Sequence, residues 1–295
     1  MTIGYLWSFG ATALPLVSAF FSSLIIARWM GPEAVGLISL TQALATALLI
    51  AAKFGVEGAA SRLVSEYQVS SPWRIPRLIR TATLLRLAFT LPTAVVATIF
   101  APQLARFFGK KALLPLFRLS GLLILAVSIN EYAALVVLGL KRFRILFSMR
   151  TVMLVMKVSL VFMAVVSAMG VASVLGAYIV SAIVPGIVVL TMLLMIRSGE
   201  RPRQDDEPIT RRLFVLSLSL AVSGASVTVY SLLDRLMLGY FSPAAQVGLY
   251  TMSRNIVETS LFPTFALIMT LRPALAAAYT ANDQDRCSSL VYRSI

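Results

Sequence analysis

The chain contains no histidine and one cysteine, Cys287. The missing histidine removes the usual proton switch, the commonest metal ligand and every Ser-His or Cys-His catalytic design. A lone cysteine excludes an intrachain disulfide and a two-cysteine metal site. Charge is scarce too, at 13% of residues, well below the roughly 25% of soluble domains. No G-x-x-x-x-G-K-[ST] occurs, so the chain carries no ATP site of that type. Nothing alternates with period two over ten residues, which argues against a lipid-facing barrel.

What is present is apolar. Hydrophobic residues make up 59% of the 295, and the mean hydropathy is +0.88. A soluble core could not hide that much apolar surface, so lipid must be the solvent for most of it. About 20 apolar residues cross a bilayer. Eight segments qualify: Leu6–Ala27, Ala34–Val56, Ala82–Pro102, Leu113–Leu140, Val152–Met169, Val174–Ile196, Leu213–Gly239 and Val247–Leu271. The expected class is an all-α polytopic membrane protein with about eight transmembrane helices. The N-terminus lacks the basic region of a signal peptide, so its first apolar run reads as a retained helix.

The net charge is +14, with 26 Lys and Arg against 12 Asp and Glu. In a soluble chain this would suggest nucleic acid. Here most of it lies between spans, and no nucleic-acid partner is expected. The even-numbered gaps hold Arg62, Arg74, Arg77 and Arg80, then Lys141, Arg142, Arg144 and Arg150, then Arg197, Arg201, Arg203, Arg211 and Arg212. The odd gaps hold only Arg28, Arg106, Lys110 and Lys111. The positive-inside rule then predicts an inner (cytoplasmic) cell-membrane protein with its N-terminus in the cytoplasm. The run "RSGERPRQDDEPITRR", residues 197–212, reads as a cytoplasmic linker. Its Asp205-Asp206 pair has no other acidic cluster beside it and reads as solvated. Pro15, Pro92, Pro115, Pro185 and Pro263 fall inside spans, where each removes a helical hydrogen bond and favours a kinked bundle.

One junction is written twice. "ARWMGPEAVGLISLT" joins spans one and two, and "LGYFSPAAQVGLYTMS" joins spans seven and eight. Val35-Gly36-Leu37 matches Val247-Gly248-Leu249, Pro32 matches Pro243, and Ser39 faces Thr251. Six spans separate the copies, so both cross in the same direction. That is a parallel repeat, related by an axis along the membrane normal. The expected organisation is an N-terminal six-helix bundle over 1–196, the linker 197–212, and the first two helices of a second bundle over 213–295. A complete second bundle would need four more spans, so the sequence is expected to be a C-terminally truncated piece.

Those junctions, with "GVEGAASRLVSEY" after span two, "GLKRFRIL" after span four and "DRLMLGYFSPAAQVGLYTMS", resemble the polysaccharide-export flippases. These move lipid-linked oligosaccharides across bacterial or archaeal membranes. They share the MOP superfamily with the multidrug and toxin extruders (MATE). The resemblance implies a MATE-like fold of two bundles around a cavity that opens alternately to each side. It also implies a transporter, not an enzyme, without a cofactor. The implied partners are a lipid-linked (polyprenyl-pyrophosphate) oligosaccharide and membrane lipid, as in O-antigen export. A multidrug or small-molecule antiporter of the same fold, coupled to H⁺ or Na⁺, is the same-fold alternative. A membrane glycan polymerase or ligase is a rival class, disfavoured by short external gaps and the missing histidine. A non-transporting membrane scaffold is a further one.

A charge near the bilayer centre costs about 2.5–3.5 kcal/mol on insertion scales. The cations inside spans are Lys53, Arg86, Arg118, Lys157, Arg235, Arg254 and Arg272, against Glu57, Glu131, Asp234 and Glu258. Seven against four predicts an anion-accepting cavity, with the carboxylates for ion coupling or charge balance. A structural reading stands beside it. Lys53 with Glu57, and Arg254 with Glu258, are i,i+4 pairs that can neutralise each other. Arg86, Arg118, Arg272 and Lys157 can snorkel toward headgroups. In span seven, Ser217, Ser219, Ser223, Gly224 and Ser226 allow close helix packing or a wet path.

Overall fold

The computed structural model describes residues 2–196 and 209–261. Among them every regular element is helical. The α-helices are α1 (Thr2–Lys53), α2 (Val56–Ser70), α3 (Ile75–Ile99), α4 (Ala101–Phe107), α5 (Leu113–Gly139), α6 (Phe143–Val166), α7 (Val171–Leu194), α8 (Ile209–Phe241) and α9 (Ala244–Ser260). A 3₁₀ turn, Pro72–Arg74, links α2 to α3.

α1 holds two spans. Gly31 leaves helical geometry at φ 83°, ψ 170°, a region open to glycine. In a straight helix Ala19 and Gln42 would stand about 35 Å apart, at ~1.5 Å per residue. Instead both line one small cavity, so the chain doubles back at Gly31. The arms 2–30 and 32–53 are the first two expected spans. α3, α5, α6, α7 and α8 carry the next five, and each is long and apolar enough to cross a membrane. α9 begins the eighth, whose part beyond residue 261 lies outside the described residues, as does most of the linker. The outward side chains are apolar, Leu84, Val95, Phe162, Val222 and Leu233 among them. This is a multi-pass membrane protein.

The segment after span two is more than a basic loop. α2 buries Val56, Ala59, Ala60, Leu63, Val64 and Tyr67, one face at helical spacing. At 15 residues it is about 22 Å long, too short to span. Its exposed side is polar, which suits a helix at the bundle end. Ser65 donates to the Gly139 carbonyl (3.0 Å), Gln68 donates to the Leu140 carbonyl (3.0 Å), and Arg212 pairs with Glu66 (2.6 Å). These contacts bring α2, the end of α5 and the start of α8 together at one end of the bundle.

At the opposite end, Lys110 donates to the Gly239 carbonyl, and Phe107 packs on Tyr240 with ring centroids 5.0 Å apart. Partial burial lowers the Lys110 pKa. The repeated junctions meet here, and they meet each other. A Cβ on Gly36 would collide with the Ala244 carbonyl, and a Cβ on Gly248 with the Pro32 carbonyl. Two side-chain-free turns let the backbones touch. One turn further on, the Ser39 and Thr251 hydroxyls bond at 2.8 Å. Residues matched between the two junctions in the sequence therefore contact each other.

Candidate functional site

Two charged clusters lie between helices, and a polar cavity adjoins the second. The first forms where α1 ends. Phe54 and Gly55 both take positive φ (40° and 67°) and break the helix before α2 starts. Gly55 also admits no side chain, because a Cβ would strike the Ser217 carbonyl of α8. Phe54 is a bulky residue in the left-handed region, a conformation costing about 1–3 kcal/mol. Its ring is held by Phe89 (5.3 Å between centroids, stacked) and Phe214 (5.7 Å).

The break turns the chain so that Lys53 and Glu57 face the middle of the bundle from two helices. Lys53 Nζ lies 2.6 Å from Glu131 and 3.5 Å from Glu57. Glu57 also sits 3.1 Å from Arg86 Nη2. Arg86 is 2% exposed. Its Nε donates to Ser128 (2.9 Å), and Ser128 shares a hydrogen bond with Thr90 (3.0 Å). Nη1 and Nη2 make no hydrogen bond, so the contact to Glu57 is charge attraction off the hydrogen-bond line. Two cations thus face two carboxylates. Next along α5, Asn130 donates to the Ala182 carbonyl and accepts from Arg150, both at 3.0 Å. Lys53, Glu57, Gly58, Ser223, Gly224 and Thr228 line a cleft of about 300 Å³ between this cluster and α8.

The second cluster joins α8 to α9. Arg254 pairs with Asp234 (2.8 Å) and Glu258 (2.7 Å) and donates to the Ser231 carbonyl (3.1 Å). Tyr250 donates to the same Asp234 oxygen. Arg235 Nη2 donates to the same Ser231 carbonyl (3.4 Å), while its Nε is buried without a hydrogen bond. Beside this lies a cavity of about 220 Å³ between both arms of α1, α6, α7, α8 and α9. Lys157, Arg235, Gln42, Tyr178, Asn255 and Glu258 line it. Lys157 is 8% exposed, and its ammonium stands over the Tyr178 ring at 4.1 Å. Among the described residues, no carboxylate lies at ion-pair distance from Lys157 or Arg235.

The seven cations singled out in the sequence therefore separate. Lys53, Arg86 and Arg254 each hold carboxylates. Lys157 and Arg235 face the cavity without one. Arg118 is exposed on α5, away from both clusters, and Arg272 lies outside the described residues. All four carboxylates are paired. Ser128, Asn130 and Arg150 escaped the sequence reading. Arg150 looks like one more loop cation there, yet it sits two turns into α6 and points inward. A span begun at Phe143 rather than Val152 would have signalled this.

Residues 4–278 match the family model described as polysaccharide biosynthesis protein. No curated protein matches the chain. Several solved structures share its fold. An inward-facing multidrug resistance MATE-family transporter of the MOP superfamily superposes with a TM-score of 0.70 at 14% identity, covering 96% of this chain and 66% of that one. The MATE multidrug transporter DinF-BH, solved as a complex, gives 0.67 at 16% identity, with 98% and 67% covered. A MOP-superfamily transporter from Pyrococcus furiosus, described as having a binding pocket of reverse polarity, gives 0.61 at 14%, with 98% and 66% covered. The chain spans about two thirds of the length of the transporters it matches.

Proposed function

The chain belongs to the polysaccharide biosynthesis protein family, and on that premise we propose that it is part of a flippase for a lipid-linked (polyprenyl-pyrophosphate) oligosaccharide. The observation that carries this reading is the pair of cavity-facing cations, Lys157 and Arg235, neither of which forms an ion pair with a described carboxylate. Buried cations invite an anionic ligand, and a guanidinium with an ammonium matches the oxygens of a pyrophosphate. Gln42, Tyr178 and Asn255 supply uncharged polar groups beside them.

Flipping makes and breaks no bonds. Its cost is carrying a charged, hydrated head group through hydrocarbon while the lipid tail stays in the bilayer. A cationic, polar cavity lowers that cost by replacing the water the head group gives up. In this reading the chain lies in the cytoplasmic membrane with α2 and the N-terminus inside. Residues 1–196 form one bundle and the chain after residue 212 begins a second. Moving an anionic head group outward through an inside-negative membrane releases about 2.3 kcal/mol per charge per 100 mV. Lys53, Arg86 and Arg254 pair with Glu57, Glu131, Asp234 and Glu258, and hold the helices that frame the path.

The same-fold alternative is a multidrug antiporter, favoured by two of the fold relatives. It calls for a cavity that attracts cations, and here every described carboxylate inside the bundle is already paired. The deciding experiment substitutes Lys157→Gln and Arg235→Gln, alone and together. The readout is surface glycan display in a flippase-deficient host carrying the full-length protein. Each single change should cut display, and the double should abolish it. Full display by the double variant at normal protein levels would end this reading.

A further inference from the structure

We propose that the groove between α6 and α7 binds one anionic phospholipid, independently of the transported cargo. Val152, Val184, Pro185, Val188 and Met192 line a groove of about 370 Å³, and Arg144 stands in its lining. Val152, Val184, Val188 and Met192 are each between 41% and 58% exposed, so the groove opens outward from the bundle. Its floor, Met149 and Val189, is buried. It runs about 12 Å, from Arg144 to Val152 on α6 and from Met192 to Val184 on α7, at ~1.5 Å per residue. That is the shape of a slot for a single acyl chain.

The charge is at one end only. Arg144 is in the first turn of α6, and Lys141 and Arg142, both exposed, directly precede that helix. None of the three forms an ion pair with a described residue. Ser148, one turn on from Arg144, adds an exposed hydroxyl to the lining. A phospholipid tail gains little from leaving other tails for an apolar groove, because lipid is already as apolar as the side chains. Preference must come from the head group. Arg144 at the end of an acyl-sized slot, with Lys141 and Arg142 just before it in the chain, selects a phosphodiester that carries net negative charge over a zwitterionic one. Pro185 contributes shape: its ring fixes that wall, while Gly186 lets α7 sit against Asn130 of α5.

The test uses the full chain in detergent, titrated with phosphatidylglycerol, phosphatidylcholine or a polyprenyl phosphate, with bound lipid counted by native mass spectrometry. One phosphatidylglycerol should be retained well after phosphatidylcholine is lost. Arg144→Gln should weaken that retention about five-fold and leave phosphatidylcholine unchanged. Val188→Trp fills the slot and should abolish the selective site, whereas Val95→Trp, on the exposed face of α3, should not. Equal retention of the two phospholipids, wild-type behaviour of Arg144→Gln, or equal effects of the two Trp variants would overturn the site. Stronger retention of the polyprenyl phosphate than of phosphatidylglycerol would overturn its assignment to phospholipid. Arg144 is exposed, so its variant keeps the test decisive even if Val188→Trp does not fold.

Discussion

Glu57→Gln should be the most damaging single charge removal in the first bundle. The carboxylate lies 3.1 Å from the Arg86 guanidinium, whose side chain is 3% exposed, and 3.5 Å from Lys53. At an effective dielectric of about 20, the Arg86 attraction alone is about 5 kcal/mol. Part of that repays the desolvation of both groups, so the pair's net worth is far smaller. The variant, however, keeps the desolvation cost of Arg86 and loses the attraction. Breaking a buried pair in this way costs about 3–5 kcal/mol. Glu131 remains nearby and Arg86 Nε keeps Ser128, which favours the low end, about 3 kcal/mol. At 2–4 °C per kcal/mol, the detergent-solubilised protein should melt roughly 6–12 °C lower.

The companion variants separate this account from simple loss of packing. Arg86→Met leaves Glu57 with Lys53 and should cost less than Glu57→Gln. The double variant removes the stranded cation and should be more stable than Glu57→Gln alone. Thermal unfolding followed by fluorescence-detected size exclusion measures all three. A Glu57→Gln variant that melts within about 1 °C of the parent, or a double variant whose losses simply add, would refute the reasoning.

Other consequences follow from the same contacts. Gly248→Val drives two methyls at the Pro32 carbonyl, and an overpacked backbone contact costs about 1–3 kcal/mol, visible as a lower Tm; Gly36→Val should behave alike. Ser39→Cys with Thr251→Cys, in a chain whose Cys287 is replaced by Ser, should cross-link on mild oxidation because the parent hydroxyls bond at 2.8 Å. In the glycan-display assay that bridge should stop export, and reductant should restore it. Lys110→Ala removes the donor to the Gly239 carbonyl and should loosen that end of the bundle. A single reporter cysteine at Ser39 would then react faster with a water-soluble thiol reagent.

Reading the sequence located the helices better than the turns between them. Gly31 announced its hairpin, because a Gly-Pro pair between two apolar runs has few other uses. The break at Phe54-Gly55 did not announce itself. Phe54 is a poor residue for a left-handed backbone, and it adopts one only because Phe89 and Phe214 hold its ring. That is tertiary information, absent from any local window. The missed break had consequences for the site. Lys53 and Glu57 read as neighbours on one helix that neutralise each other, whereas each also reaches a partner on another helix. For the same reason composition alone could not sort Arg254, in direct ion pairs with two carboxylates, from Arg235, one helix away and in none.

Matched position by position, the two junctions show a pattern in the polarity of α1, α8 and α9. Where the two junctions cross, each residue meets its matched position in the other, so the same charge in both would repel. The pairs found there are self-complementary. Glycine against glycine is one, at Gly36 and Gly248, and hydroxyl against hydroxyl is another, at Ser39 and Thr251. A hydroxyl can both donate and accept, so the pair satisfies itself without asymmetry. Away from that crossing the copies diverge. The offset of 212 that relates Ser39 to Thr251 also relates Gln42 to Arg254 and Thr46 to Glu258. One residue fewer, before the junction, relates Ser23 to Asp234 and Leu24 to Arg235. The first copy is neutral at every one of these positions, and the second carries the charges. The head-group chemistry proposed for the cavity depends on what the two copies no longer share, with Arg235 coming from the second copy and Lys157 from α6, outside the repeated junction.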